Sequence, residues 1–323
     1  MTTNFSEFFI SINTETSTYE KAKYSIYYRI FSPINPEDIK ADIILLSGIC
    51  TNITHYTEIS YYFAENGFRV ILIDPPGFGL SSGMRAGLDN YDSKDTDIFT
   101  PATLLIYAQI IDSVLNDVYK NTNINKPKIS LGAGFGGFLG SYHQNHIRSQ
   151  LSYIIDGIKN NLFIGNILTN PVISIKNPNY TSFERFLITT GVKSSKLYLY
   201  DIDKLENYNL VSDFDRKFQL FYSTLKSINY IDYKLFLKIF REKNLFNGKF
   251  LGNFNKQFCD NLLIFQSKND FLSDYSDLKL NFQTFEVENK TLIEYENYGH
   301  FILLEKDWKI IADQIIEWIN NIL

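Results

Sequence analysis

Short apolar runs alternate with helical patterns along most of this chain. The runs at Phe8–Ile12 and Tyr24–Phe31 predict two leading strands. Later runs are nearly all apolar, which is typical of strands buried on both faces of a parallel sheet. They are Asp42–Leu46, Arg69–Asp74, Lys128–Leu131, Phe163–Leu168, Leu262–Gln266 and Thr291–Tyr295. Helical patterns lie between them near 55–66, 101–119, 135–147 and 275–284. The alternation predicts an α/β fold with a mostly parallel central sheet flanked by helices.

The C-terminal segment has the clearest helical pattern. One apolar stripe at spacings of three and four is formed by Trp308, Ile311, Ile315, Ile319 and Ile322. By contrast, residues 172–258 break the strand–helix rhythm and are rich in Tyr, Phe and Leu. We interpret them as a mainly helical cap inserted into a core formed by residues 1–171 and 259–323.

Composition narrows the classes of function. The net charge of −5 argues against nucleic acid as a partner, because phosphate binding requires a basic surface. Two cysteines among 323 residues exclude a disulfide framework. The N-terminus has no signal-peptide pattern, and no apolar run reaches the roughly 18 residues of a membrane span. We therefore expect an intracellular protein with no transmembrane segment, located in the cytoplasm rather than in an organelle, which is the alternative. We predict neither metal nor cofactor.

A glycine-rich turn follows the predicted strand at Lys128–Leu131. Gly132 and Gly136 match the outer glycines of G-x-S-x-G, the motif that presents a nucleophilic serine between a strand and a helix. The central position is Gly134, which has no side chain. Asp270 follows a later strand and His300 precedes the final helix, so the two have the chain order of a triad acid and base. We predict a remnant acid–base pair beside a vacant nucleophile position.

The loop after the strand at 42–46 supplies a further candidate. It is Ser47-Gly48-Ile49, and in a serine hydrolase such a loop donates one backbone N–H to the oxyanion. The residue after the nucleophile donates the second. We predict the N–H groups of Ile49 and Phe135 as this pair of donors.

These segments together resemble the monoacylglycerol lipase and lysophospholipase branch of the α/β-hydrolases, which is often labelled serine aminopeptidase-like. The resemblance covers residues 24–171 and 259–320. Its markers are the Ser47–Ile59 loop and helix, the Gly77–Arg85 segment (Gly-x-Gly-x-Ser-x-Gly-x-Arg in the family), and the turn at Gly132–Gly137. The resemblance implies an α/β-hydrolase fold with a cap, and it places the family's acid and base on Asp270 and His300.

The departures from the family pattern concern the chemistry. The family's Gly-His-Ser-Met-Gly-Gly is Gly-Ala-Gly-Phe-Gly-Gly here, so Ala133 and Gly134 replace a histidine and the nucleophile. Ser47 replaces the histidine of the family's His-Gly loop. Three polar positions altered together predict an impaired hydrolase. It would bind a lipid-like or other apolar small molecule, or act as a structural subunit with a protein partner in a larger assembly.

Two alternatives stay open at this point. The retained Asp270 and His300 favour a serine ester hydrolase of the monoacylglycerol lipase type whose serine has been replaced at Gly134. The glycines at 132, 134 and 137 also satisfy G-x-G-x-x-G, with Asp156 about 20 residues further on, which is the pattern of a nucleotide-binding turn.

Overall fold

A computed structural model describes residues 3–16, 19–48, 51–76, 79–82, 101–151, 163–172, 196–198, 208–222, 230–232 and 259–323. Ten strands lie in these ranges: β1 Thr3–Thr16, β2 Tyr19–Pro33, β3 Ala41–Leu46, β4 Phe68–Ile73, β5 Lys128–Ala133, β6 Phe163–Thr169, β7 Lys196–Tyr198, β8 Tyr230–Asp232, β9 Asn261–Ser267 and β10 Asn289–Tyr295. The helices there are α1 Thr57–Glu65, α2 Pro101–Thr122, α3 Phe135–Leu151, α4 Phe214–Tyr222, α5 Tyr275–Thr284 and α6 Trp308–Ile322. Single 3-10 turns lie at Pro36–Asp38, Ile53–Tyr56 and Ile302–Leu304.

Eight of these strands form one sheet, in the order β1-β2-β4-β3-β5-β6-β9-β10. β2 pairs antiparallel with β1 and with β4, whereas every pair from β4 to β10 is parallel. Every residue of β3, β4 and β5 is buried, as their apolar composition predicts. The prediction of a mostly parallel central sheet is confirmed.

Helices cover both faces of this sheet. Adjacent residues of β6 show this, because neighbouring side chains on a strand point to opposite faces. The Cα of Gly165 faces Trp318 of α6, whereas the Asn166 side chain donates to Ser141 of α3 at 2.9 Å. The predicted apolar stripe of α6 is confirmed at Trp308, Ile311, Ile315 and Ile319, which are buried. None of the helices within the described ranges is long and apolar enough to span a membrane.

The structure differs from the sequence prediction in two places. β1 and β2 are much longer than the apolar runs at 8–12 and 24–31, because a hairpin at the edge of a sheet tolerates polar residues on its exposed side. The predicted cap at 172–258 contains the antiparallel pair β7–β8 besides α4, so it is not helical throughout. Most of the cap lies outside the described residues, and its boundaries stay a prediction.

The turn between β5 and α3 is packed backbone against backbone. A Cβ on Gly132 would lie 2.3 Å from the Cα of Gly137, and a Cβ on Gly136 would lie 2.1 Å from the carbonyl oxygen of Leu46. Side chains do not fit at such distances. Close packing of strand, turn and helix therefore accounts for the glycines at 132 and 136.

We expect Gly136→Ala to lower the free energy of unfolding by about 1–3 kcal/mol, because the new methyl group overlaps the backbone of β3. Gly137→Ala is the milder control, since its Cβ would lie 3.1 Å from Leu168 Cδ2 and 3.2 Å from the carbonyl oxygen of Gly132, where small shifts relieve the contact. Urea denaturation of both variants measures the difference. A Gly136→Ala variant as stable as Gly137→Ala would contradict the packing argument.

Candidate active site

Gly134 forms the turn at the carboxyl end of β5, in the middle of the sheet. Its φ of +53° lies in the left-handed region that side chains rarely adopt. Its N–H donates to the carbonyl of Thr169 at 2.8 Å, and its own carbonyl accepts from the N–H of Gly137 at 3.2 Å. These bonds tie the turn to the end of β6 and to the first turn of α3.

The structure brings Asp270 and His300 together. Asp270 follows β9, and its Oδ2 lies 2.8 Å from Nδ1 of His300. Both side chains are buried, with relative exposures of 0% and 2%. The carboxylate also accepts the N–H of Leu272 and the hydroxyl of Ser273, each at 2.8 Å. A carboxylate held in this way selects the tautomer with the proton on Nδ1, so that Nε2 is left facing the opposite direction.

Nε2 of His300 faces Gly134. A Cβ built on Gly134 would lie 2.7 Å from this nitrogen, closer than real Cβ atoms approach a neighbour. Within the described part of the chain, Nε2 has no hydrogen-bond partner. The ring itself lies edge-on to Phe271 and Phe301, with centroid distances of 5.7 and 4.8 Å. Among the described residues, the imidazole is thus held on its flanks by two aromatic rings and faces the turn.

Of the two predicted oxyanion-hole residues, the structure describes Phe135 but not Ile49. Phe135 is buried as the first residue of α3, beside Gly134. Ile49, its predicted partner in the oxyanion hole, lies outside the described residues. Ser47 is buried, and no described residue hydrogen bonds its hydroxyl. Ser141 cannot replace a nucleophile at 134, because it lies in α3 and its hydroxyl donates to the carbonyl of Gly137 at 2.9 Å.

Two other histidines have partners away from the turn. Nε2 of His55 lies 3.1 Å from the carbonyl of Leu220, and Nε2 of His143 lies 2.7 Å from Asp112. Over the described ranges, no group of three or more His, Cys, Asp and Glu side chains is arranged to hold a metal ion.

Asn170 is a positioning residue that the sequence analysis missed. Its Nδ2 donates to the carbonyls of Gly299 and His300, both at 2.8 Å, and its Oδ1 accepts the N–H of Ser267 at 2.6 Å. It thereby joins the end of β6 to the strand before the acid and to the loop of the base. Its φ is +42°, a conformation that asparagine tolerates better than most residues. In the sequence, an Asn-Pro pair after a strand gave only the signal of a turn.

A second support is the segment at 208–213, which lies against the histidine loop. The carbonyl of Asn209 accepts the N–H of His300 at 2.8 Å. The side chain of Asn209 donates to the carbonyls of Asn269 and Tyr298, both at 3.1 Å. This residue bridges the loop of the acid and the loop of the base.

Glu305 hydrogen bonds both the 208–213 segment and the histidine loop. It is fully buried, and its carboxylate accepts the N–H of Gly299 at 2.6 Å and that of Ser212 at 3.0 Å. Burial raises the pKa of this carboxyl above its ordinary value, against the lowering effect of those hydrogen bonds. Five residues after His300, Glu305 looks in the sequence like an exposed charge before a helix, which is why pattern analysis missed it.

Asp74 organises the loops at the carboxyl ends of β3 and β4. One oxygen accepts the N–H of Ile53 at 3.0 Å and the other accepts the N–H of Leu80 at 3.1 Å. A Cβ on Gly79, whose φ is +52°, would overlap this carboxylate. Burial raises the pKa of Asp74 from 3.8 to about 6. The motif at 74–81 is therefore structural.

Replacement of Asn170 tests the frame around the histidine. We expect Asn170→Ala to lower the free energy of unfolding by about 1–3 kcal/mol, because two buried carbonyls lose their donor. Asn170→Gly, the control, loses the same bonds but accepts the positive φ. It should therefore be less destabilised. The NMR resonance of the His300 Nδ1 proton should shift in both variants, and an unmoved resonance would contradict a positioning role.

The raised pKa of Asp74 predicts a dependence of stability on pH. The folded state binds a proton that the unfolded chain has already lost above its pKa of 3.8. Asp74 therefore contributes up to about 3 kcal/mol to the free energy of unfolding. This contribution is fully present below about pH 4 and is lost as the pH rises through about 6. Urea midpoints of the parent and of Asp74→Asn across this interval should converge as pH rises. A constant difference would contradict the assignment.

Comparisons with known proteins agree with this architecture. The profile of the family described as serine aminopeptidase, S33 matches residues 37–307. The monoacylglycerol lipase of Paleococcus ferrophilus is similar in structure with a TM-score of 0.65 and 16% identity, covering 92% of this chain and 99% of the lipase. A soluble variant of monoglyceride lipase from Saccharomyces cerevisiae has a TM-score of 0.66 and 14% identity, with 97% and 95% covered.

A putative hydrolase from Agrobacterium vitis is similar over 99% of both chains, with a TM-score of 0.63 and 15% identity. Identities this low establish the fold alone. No curated protein matches the sequence significantly. The strand order, the helices on both faces and the family match over residues 37–307 agree. The chain has the α/β-hydrolase fold and belongs to the serine aminopeptidase, S33 family.

Proposed function

We propose that this protein is an α/β-hydrolase that binds an apolar ligand without forming an acyl-enzyme. The observation that carries the proposal is the pairing of Asp270 with His300 in front of Gly134, a position that offers no nucleophilic atom. Ser130 lies within β5 and Ser141 within α3, so neither stands at the position of the nucleophile.

The chemistry follows from what the pair lacks. In covalent catalysis a histidine removes the proton of a serine hydroxyl while the oxygen attacks a carbonyl. Here His300 is paired with Asp270, but none of the described residues presents a hydroxyl to Nε2. Water is then the oxygen nucleophile that this part of the structure leaves available. Enzymes that lose a triad residue keep about 10³–10⁴-fold acceleration over water, so any turnover would be far below that of a lipase.

The surroundings of the pair support an apolar ligand. Phe271 lies edge-on to His300, and Tyr208 packs against Phe271 with their ring centroids 5.9 Å apart. The similar solved structures include two enzymes named as monoacylglycerol or monoglyceride lipases. Binding of a protein partner, and the intracellular location, stay predictions from the sequence.

Retention of the acid–base pair favours a second candidate, an ester hydrolase whose serine at 134 has been replaced. A protein that only binds a ligand has no need of a buried carboxylate–imidazole bond. The sequence of codon 134 in the source genome tests this: a serine codon would support the hydrolase, and a glycine codon the binding protein.

The nucleotide-binding alternative has less support. Gly132, Gly136 and Gly137 are in contact with one another or with the backbone of β3, so close packing explains them without a phosphate. Asp156, its predicted ribose contact, lies outside the described residues.

Labelling by a fluorophosphonate tests the proposal, because this reagent reacts with an activated serine. We expect no covalent adduct on the parent chain and a stoichiometric adduct on Gly134→Ser, detected by intact mass. The new Cβ would lie 2.7 Å from Nε2 and therefore requires the His300 ring or the turn to shift, so labelling should be slower than in a native serine hydrolase.

Two control variants complete the experiment. Gly134→Ala introduces the same Cβ without an oxygen and should stay unlabelled. Gly134→Ser combined with His300→Gln removes the base and should label at least about 100-fold more slowly, as expected for loss of a general base. A specific adduct on the parent chain would overturn the proposal.

A further inference from the structure

The imidazole of His300 has an acceptor, Nε2, to which no described residue donates. Asp270 holds the proton on Nδ1, so in the neutral ring Nε2 is an acceptor. The residue is 2% exposed, and no hydrogen bond to Nε2 comes from any described residue. In a serine hydrolase the nucleophile hydroxyl is the donor at this nitrogen. Glycine at 134 removes that donor.

The missing donor defines what a ligand has to bring. An ester offers only acceptors and meets the lone pair of Nε2 with another lone pair. A carboxylic acid binds with one proton shared between its oxygen and Nε2, and when the acid is ionised in solution that proton is taken up from the buffer on binding. Whether that proton stays on the ligand or moves to Nε2, the same N···O hydrogen bond forms, and Asp270 stabilises the imidazolium in the second case.

The second oxygen of a carboxylic acid bound to Nε2 would face the N-terminus of α3. Gly134 directly precedes α3, a helix of 17 residues, and the first turn of a helix presents N–H groups and a partial positive charge. This end of the dipole offsets the repulsion from Asp270 on the far side of the ring. The absent side chain matters as well. A Cβ at 134 would lie 2.7 Å in front of Nε2, so glycine leaves that space to the ligand.

We propose that the His300–Gly134 site binds a monocarboxylic acid with an apolar body in preference to its esters. The apolar body is expected because Phe271 and Phe301 flank the imidazole and Tyr208 packs on Phe271. This inference rests on the proposed function and specifies its class of ligand.

Calorimetric titration with three probes of equal chain length tests the inference: octanoic acid, methyl octanoate and 1-octanol. The acid should bind about tenfold more tightly than the ester, which is the value of one charge-assisted hydrogen bond. The alcohol brings a proton but only one oxygen, so it should bind between the two.

Two variants test whether the preference for the acid over the ester arises at the His300–Gly134 site. Asp270→Asn removes the stabilising carboxylate, and Gly134→Ala fills the space before Nε2. Each should bring the ratio of acid to ester affinity close to one while ester binding persists. Persisting ester binding also shows that the variants are folded.

The outcomes separate the two proposals. Equal affinity for acid and ester, or no binding of the acid, would overturn the inference and leave the non-acylating function standing. Release of methanol from methyl octanoate through an acyl-enzyme would overturn the proposed function itself. An acid preference that survives in both variants would place the acid elsewhere and contradict the inference.

Discussion

The contact between the β5–α3 turn and the end of β3 is the constraint around which the site is built. Gly136 lies against the carbonyl of Leu46, and Gly132 lies against Gly137, at distances that exclude any side chain. This packing fixes where α3 begins and holds Gly134 at a positive φ between two strands of the sheet. The same geometry would present a serine hydroxyl in an active hydrolase. Here the position is a glycine, and under our proposal the scaffold of the reaction persists without the reacting atom.

Around that position, hydrogen bonds between asparagine side chains and backbone groups orient the loops of the acid and the base. Asn170 and Asn209 each connect the loop of the acid with the loop of the base. Glu305 adds a buried carboxylate beneath Gly299. Because each of these groups bonds backbone rather than the imidazole, His300 is positioned through its loop. A frame of this kind holds the Asp270–His300 bond in place whether or not a nucleophile stands opposite.

Much of this arrangement is predictable from the sequence, for physical reasons. Buried parallel strands are continuous apolar runs, so β3, β4 and β5 are recognisable by composition alone. Asp270 and His300 are recognisable by chain order. Asn170 and Glu305 are not, because their roles depend on carbonyls and N–H groups brought close only by the fold. The strand pair β7–β8 escaped detection since three-residue strands carry too little pattern. The approach of His300 Nε2 to Gly134 is not predictable from the sequence, because it depends on how two distant segments meet in the fold.

We propose that the chain does not form an acyl-enzyme. Rapid mixing with p-nitrophenyl octanoate tests it most directly, because acylation releases p-nitrophenol in a burst equal to the concentration of active sites. We expect no burst, and a slow linear release that differs little between the parent and His300→Gln. A burst stoichiometric with the protein and absent from His300→Gln would contradict it, because it would reveal a nucleophile that Gly134 does not provide.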